Sequence, residues 1–322
     1  MKRAIGVDLG GSHVMAAVVD ETGTLGQPHE LDLTDHAPAA VIDALESVVK
    51  AAIRDAGDEV SGIGIGSPGN IDAETGTVRY SPNFGWRDVP LGARVRDRFP
   101  KQTVFVGNDA RCATLGEYAH GVGRGSENFV LLTLGTGIGG GIVAGGVLLL
   151  GDQMGAGEVG HHTIRPETGF ICGCGKVGCF EAQASGTALM RHAMRVAPSF
   201  PKSTLLDVPR EKLGSKAIRK AAQAGDGHAL AAWSAWCDDL AIGLSNIVAF
   251  VNPAVIALGG GVSSAGDFLL QRVVPRVEEL TTMSPRGTTR ILKAALGNDA
   301  GAVGAATAAL RGGLIAKVPA AT

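Results

Sequence analysis

The segment from Glu158 to Glu181, EVGHHTIRPETGFICGCGKVGCFE, constrains this chain more than any other, because it gathers three of the five cysteines, two histidines and flanking carboxylates. Cys172, Cys174 and Cys179 fall within eight positions, separated by glycines that allow a tight backbone path around one point, and His161 precedes them by eleven. Three thiolates and one imidazole are the donor set of a closed, tetrahedral Zn²⁺ site, so His161, Cys172, Cys174 and Cys179 are the candidate ligands. Buried free thiols are the other reading of the same residues, and a disulfide does not suit a chain that reads as cytosolic. His162, beside His161, is a second possible ligand. A metal holding this loop would also hold Glu158 and Glu181, whose carboxylates can accept hydrogen bonds from hydroxyls of a polar ligand. Solvated surface glutamates are the plainer alternative.

A chain of 322 residues predicts two domains of ordinary size. A net charge of −2 and a pI near 6.4 offer no basic field, and aromatics at 4% offer no stacking platform, so nucleic acid is not an expected partner. The N-terminal MKRAIGVDLGG reads as a strand, too short in its apolar run for a signal peptide. Residues 129–151 carry no charge and are long enough to span a bilayer, but glycines divide them into strand, turn, strand, strand. The reading is a soluble, cytoplasmic protein with no membrane partner.

Glycine is the compositional outlier, with 48 residues, about twice the usual share. Two stretches share one glycine layout. Residues 4–25 and residues 129–149 each run strand, glycine turn with a hydroxyl, strand, second turn, which predicts two related halves that open with an antiparallel meander. The first turns, Gly10-Gly11-Ser12 and Gly135-Thr136-Gly137, can cradle phosphate oxygens with backbone N–H groups, although a tight hairpin alone also needs glycine.

Beyond the meanders, strands alternate with helices, which predicts α/β domains. Residues 39–56 have apolar residues at helical spacing, residues 60–65 read as a strand ending in the turn Gly66–Asn70, and residues 103–106 as a strand entering Gly107-Asn108-Asp109. Asp109, at a strand end and helix start, is the candidate catalytic residue. Its local role would be an N-cap, yet an aspartate within reach of an alcohol can also accept its proton as the oxygen attacks phosphorus, with Asn108 beside it to orient a hydroxyl. The later chain reads as helices over 182–196, 215–224 and 227–251, a strand 255–258 delivered into Gly259-Gly260-Gly261, a helix 267–281, a strand 291–296 and a small-residue helix 300–311. The triple-glycine turn is a place for a nucleotide to lie against backbone.

These motifs, in this order, resemble the ROK family of sugar kinases within the actin-like ATPase superfamily, and among them the bacterial glucokinases. Asp8-Leu9-Gly10-Gly11-Ser12 resembles the first phosphate motif, Gly66-Ser67-Pro68-Gly69 the sugar loop with Asn83 and Trp86 after it, and Asn108-Asp109 the catalytic pair. Gly135-Thr136-Gly137 resembles the second phosphate motif, Glu158-x-Gly160-His161 with the cysteines and Glu181 the sugar and zinc segment, and Gly259-Gly260-Gly261 the adenosine motif.

The resemblance implies an α/β, two-domain actin-like ATPase (ribonuclease H-like) fold with a cleft between the domains, residues 1–118 plus 300–322 forming the smaller and 119–299 the larger. It implies ATP-dependent phosphorylation of the 6-hydroxyl of a hexose, D-glucose first, with fructose, mannose or N-acetylglucosamine as alternatives. A sugar-sensing regulator of the same family would carry a helix-turn-helix ahead of Asp8, where only seven residues stand. In this picture Asp109 is the general base, while Gly69, Asn83, Asn108, Glu158, His161 and Glu181 hold the sugar, with His161 also on zinc. Asp8 would place Mg²⁺ through water, the turns Gly10 to His13 and Gly135 to Gly137 would hold the phosphates of ATP, and Gly259 to Gly261 the nucleoside. A homodimer is implied as well. At Ser12 and His13 many relatives carry threonine and lysine. A neutral histidine supplies no charge to phosphate, which makes the phosphoryl donor a question for assay.

Overall fold

The computed structural model describes residues 2–57, 60–209 and 212–314. Strands β1 (Arg3–Leu9), β2 (His13–Asp20) and β3 (His29–Asp32) form the opening antiparallel meander, with Asp8 opposite Met15 and His13 opposite Asp32. Helix α1 (Pro38–Ala56) begins with a proline in its first turn and ends at Gly57 in the left-handed conformation. Its stripe of Val41, Leu45, Val48 and Val49 packs into one buried cluster with Ile5, Val7, Ile63 and Ile65, where the helical and strand periodicities meet.

Strand β4 (Gly62–Ser67) pairs parallel with β1. Then come β5 (Asn70–Asp72), β6 (Thr77–Ser81) and β7 (Trp86–Val89), a separate three-stranded antiparallel sheet, followed by helix α2 (Leu91–Arg98). This small sheet and α2 were not predicted, because segments of three to eight residues carry too little periodicity to read. Strand β8 (Thr103–Asn108) pairs parallel with β4 and leads into helix α3 (Asp109–His120). The first large sheet thus has the order β3-β2-β1-β4-β8.

Strands β9 (Phe129–Leu134), β10 (Ile138–Ala144) and β11 (Val147–Leu148) occupy the uncharged stretch that was long enough for a membrane span, and it is strand and turn as expected. The expected single helix over 182–196 is two helices, α4 (Phe180–Ala184) and α5 (Gly186–Val196). Ser185 breaks it: its backbone is extended, and its Oγ accepts from Ala188 N at 3.2 Å as the cap of α5. Helices α6 (Ser215–Gln223) and α7 (Gly227–Val251) follow, then β12 (Val255–Gly259), α8 (Asp267–Leu280), β13 (Arg290–Lys293) and α9 (Ala300–Arg311). The second large sheet has the order β11-β10-β9-β12-β13. Meander strands lie on one side of the first strand and two later strands on the other, as in the first sheet, so the repeat legible in sequence is carried by topology.

Helix α7 is long and apolar enough to cross a membrane, but 56% of that stretch is buried inside the protein. Trp233 and Trp236 are core residues there, as expected, with the Trp236 indole donating to the Ser185 carbonyl at 2.9 Å. Contacts divide the chain into two compact units, one of Met1–Leu131, Gly141–Gly157 and Ala295–Thr322, the other of Leu132–Gly140 and Glu158–Ala294. In the first unit α9 crosses α3 at very short range: a Cβ on Gly304 would stand 1.6 Å from the Cys112 carbonyl oxygen. Only glycine permits that crossing.

Candidate active site

In the first unit, three strand ends converge. Strands β1, β4 and β8 are neighbours, and their carboxyl ends deliver Asp8, the Gly66–Asn70 turn and Asn108-Asp109 to one edge of the sheet. The expected N-cap role of Asp109 falls instead to Asn108, whose Oδ1 accepts from Arg111 N at 3.1 Å. Asn108 Nδ2 donates to the Gly69 carbonyl at 3.1 Å and to Asp109 Oδ1 at 2.9 Å, so one amide ties the Gly66–Asn70 turn to the aspartate. Asp109 Oδ1 also accepts from Ala110 N at 2.8 Å. The carboxylate is held at the amino end of α3, where the helix dipole favours negative charge.

Asp8 lies at the end of β1 against the first turn of α9, where a Cβ on Gly301 would stand 3.1 Å from its carboxyl carbon. Burial, reinforced by the negative charge of Asp109, pushes the Asp8 carboxyl up to about 6, and His13 opposes this weakly. Two carboxylates that repel in a half-buried corner are an arrangement that a cation relieves. The Gly10 turn closes through Gly10 N to the His13 carbonyl at 3.0 Å, and Ser12 Oγ lies 3.3 Å from His13 Nδ1. The Asn83 amide nitrogen stands 3.5 Å from where a Cβ on Gly11 would be, which brings the segment after the sugar loop to the first glycine turn. Trp86 is buried, stacks on Phe84 and donates to the His36 carbonyl at 2.7 Å, which makes it a core residue.

In the second unit, His161, Cys172, Cys174 and Cys179 bring one ligand atom each to within 4.8 Å of one another. Sγ of Cys172 is 3.7 Å from His161 Nδ1, and Sγ of Cys174 is 3.6 Å from Sγ of Cys179. All five cysteines are free thiols. Burial pushes the Cys172 thiol up to about 12 and raises Cys179, while the Lys176 backbone amide holds Cys174 down. Three thiols this close, with an imidazole nitrogen facing them, suit a metal that would take all four as ligands, the thiols losing their protons on binding. His162 is turned away: its Nδ1 meets the Val159 carbonyl and its ring packs on Phe180 at 5.1 Å. Of the two histidines, His161 is the one in the cluster.

Glu181 links this cluster to the second glycine turn. Its Oε2 accepts from Ile138 N at 2.9 Å and its Oε1 from the Cys172 thiol at 3.5 Å. A Cβ on Gly137 would stand 2.3 Å from Oε2, so the turn must be glycine to admit the carboxylate. The amino end of α5 grips the same turn, with Gly186 N on the Gly135 carbonyl at 2.8 Å and Thr187 Oγ1 on the Thr136 carbonyl at 2.9 Å. Gly186 and Thr187 were missed in sequence, where 182–196 read as one helix.

The Gly259–Gly261 turn ends β12 and opens a short 3-10 turn over Gly261–Ala265. Beside it is a cavity of about 380 Å³ lined by Ser215, Lys216, Arg219, Trp233, Gly261, Val262 and Ser264. Arg219 donates to Ser264 Oγ at 2.6 Å, which in turn donates to the Gly261 carbonyl at 2.6 Å. The volume suits a small organic ligand. Ser215, Lys216 and Arg219 had no signal in sequence, since α6 is remote from the glycines until the chain folds.

Residues 4–311 match the ROK family. The chain belongs to the ROK family. Its ROK relatives include the glucokinase of Thermotoga maritima, 39% identical over 95% of this chain and 96% of that protein. The glucokinase of Halalkalibacterium halodurans is 38% identical over 93% of this chain and 92% of that protein. Among solved structures, a ROK glucokinase from Streptomyces griseus in complex with glucose and AMPPNP superposes with a TM-score of 0.81 at 36% identity, covering 94% of this chain and 98% of that one. ROK membership carries the two-domain actin-like ATPase fold, in agreement with the paired sheet orders.

Proposed function

We propose that this protein is a glucokinase, transferring the γ-phosphoryl group of ATP to the 6-hydroxyl of D-glucose. The observation that carries the proposal is the carboxylate of Asp109, fixed by Asn108 at the start of α3 and set beside a second carboxylate, Asp8. Asp109 takes the proton of the sugar 6-hydroxyl as that oxygen bonds to the γ-phosphorus and the bond to the bridging oxygen of ADP breaks. Asn108 orients this base with one amide hydrogen, gives the other to the Gly69 carbonyl, and retains acceptor capacity on Oδ1 for a hydroxyl.

Asp8 would help to hold a Mg²⁺ ion, which would supply charge neutralisation at the phosphates. The turns Gly10 to His13 and Gly135 to Gly137 hold the phosphates through backbone N–H groups, and the cavity beside Gly261 receives the nucleoside. His161, Cys172, Cys174 and Cys179 hold Zn²⁺, which supplies rigidity to the sugar segment. As a metal ligand Cys172 carries no proton, and Oε1 of Glu181 then becomes an acceptor for a sugar hydroxyl. Glu158, His161, Asn83 and Gly69 complete the sugar contacts. Free thiols fit a cytoplasmic enzyme, and we read its working form as a homodimer.

A coupled assay across glucose, fructose, mannose and N-acetylglucosamine, with ATP and polyphosphate as donors, tests the proposal. Highest kcat/KM with glucose and ATP is expected. A higher value for another hexose would transfer the assignment to that sugar, and no turnover with any hexose would reject the kinase.

A further inference from the structure

Helix α7 carries a carboxylate where the core has no other use for one. Asp239 lies midway along the helix and is 3% exposed. A carboxylate removed from water is costly unless a cation and hydrogen bonds compensate it. The compensation comes from Arg165, whose Nε donates to Asp239 Oδ1 at 2.8 Å across 74 residues of sequence. His192, fully buried and 3.4 Å from Oδ2, is not a second cation. Burial holds its ring below the usual range, its Nε2 faces the Gln183 carbonyl at 2.9 Å, and its Nδ1 accepts from Arg195 at 3.0 Å.

Arg165 is also where the cysteine-bearing strap closes on itself. Ile164 N and Arg165 N both donate to the Gly178 carbonyl, at 2.8 and 3.2 Å, and Gly169 N donates to the Arg165 carbonyl at 3.1 Å. The two ends approach so closely that a Cβ on Gly178 would stand 1.8 Å from the Arg165 carbonyl oxygen. The side chain of Arg165 therefore leaves from the neck of the strap, just after His161 and next to the residue that precedes Cys179. Metal ligation would tie the strap to α4, whose N-cap is Cys179, and the Arg165–Asp239 pair adds a direct tie to α7. Phe170 also turns to the helices and packs edge-on to His192 at 5.3 Å beneath the guanidinium of Arg195.

We propose that Asp239 and Arg165 are positioning residues for sugar binding: their ion pair anchors the neck of the zinc strap to α7 and thereby sets where His161 and Glu181 present themselves. This rests on the glucokinase reading for its kinetic consequence and on the thiol cluster alone for its effect on the metal.

The test compares Asp239→Asn, Arg165→Met, Arg165→Lys and the Asp239→Asn/Arg165→Met double variant with wild type. Each protein is assayed for kcat, for KM of glucose and of ATP, and, without substrates, for the rate of zinc release to a chromogenic chelator. Asp239→Asn and Arg165→Met should each raise the KM for glucose about tenfold or more and speed zinc release, with kcat and the KM for ATP changed less than about twofold. The double variant should be no worse than the more affected single variant, and Arg165→Lys should recover much of the loss. Wild-type values of both the glucose KM and zinc release in Arg165→Met, which remains informative if Asp239→Asn misfolds, would overturn the proposal. So would equal losses in kcat and in both KM values, the mark of general destabilisation. If wild type phosphorylates no glucose, the function assigned above fails, and zinc release still decides the anchor.

Discussion

The two clusters of candidate residues, one in each unit, are built on opposite principles. The corner of Asp8, Asn108 and Asp109 hangs on regular structure: parallel strands end together, a helix begins, and one asparagine amide does the joining. The strap from His161 to Glu181 has little regular structure: the end of a three-residue 3-10 turn, isolated bridges at Thr163–Cys179 and Ile171–Val177, and the first two residues of α4. Its shape comes from a few backbone hydrogen bonds at its neck, from glycines, and from the thiol cluster and one ion pair. A site built on a backbone lattice tolerates loss of a side chain without moving, whereas a strap held by side-chain ligands shifts when one is removed. Damage in the first half should therefore appear in turnover, and damage in the second in sugar affinity.

The sharpest probe of this contrast is Asp109→Asn. Turnover should fall by about 10²–10⁴-fold with glucose affinity nearly unchanged, as measured by steady-state kinetics and by equilibrium titration. Turnover within tenfold of wild type would remove Asp109 as the base. On the other side, chelation or Cys174→Ser should raise the glucose KM by about 10–100-fold while far-ultraviolet circular dichroism keeps its native shape. Full sugar affinity in metal-free protein would erase the distinction between the halves.

A smaller effect separates the corner's two carboxylates. Asp8 titrates near pH 6 when folded, so kcat/KM for ATP should lose about tenfold between pH 7 and pH 5 as the group that places Mg²⁺ becomes protonated. Stability runs the other way. Because the folded value lies above the unfolded one of 3.8, the contribution of Asp8 is complete below that value and is lost as pH rises through about 6. Thermal melts should show wild type losing stability relative to Asp8→Asn from pH 4 to pH 7. A constant difference between the two would mean that Asp8 is not perturbed. The smallest expected effect is at the first glycine turn, where His13→Lys should lower the KM for ATP by about two- to fivefold, the scale of one partly exposed charge contact. No change, or a preference for polyphosphate in wild type, would show that His13 marks a different donor.

Much of this was legible from local pattern. The meanders, the strand ends at Asp8 and Asn108 and the glycine turns depend on residues close together in the chain, and periodicity and spacing report such relations directly. Where local signals were equivocal, reading stopped short. Asn108 and Asp109 are both good caps, and only the geometry assigns the cap to Asn108. The residues 182–196 look continuously helical, and the break at Ser185 follows from its capping hydroxyl and from the Trp236 indole on its carbonyl.

By itself, then, the sequence determined most of the longer elements, which family they compose and which atoms are available for chemistry. Tertiary structure alone decided that Glu181 bridges the second glycine turn to a cysteine, that Lys216 and Arg219 line a cavity beside Gly261, and that Asp239 restrains the strap through Arg165. The physical reason is range. Propensity and spacing act over a turn or two of backbone, whereas burial of a charge and the partner that compensates it depend on which distant segments fold against each other.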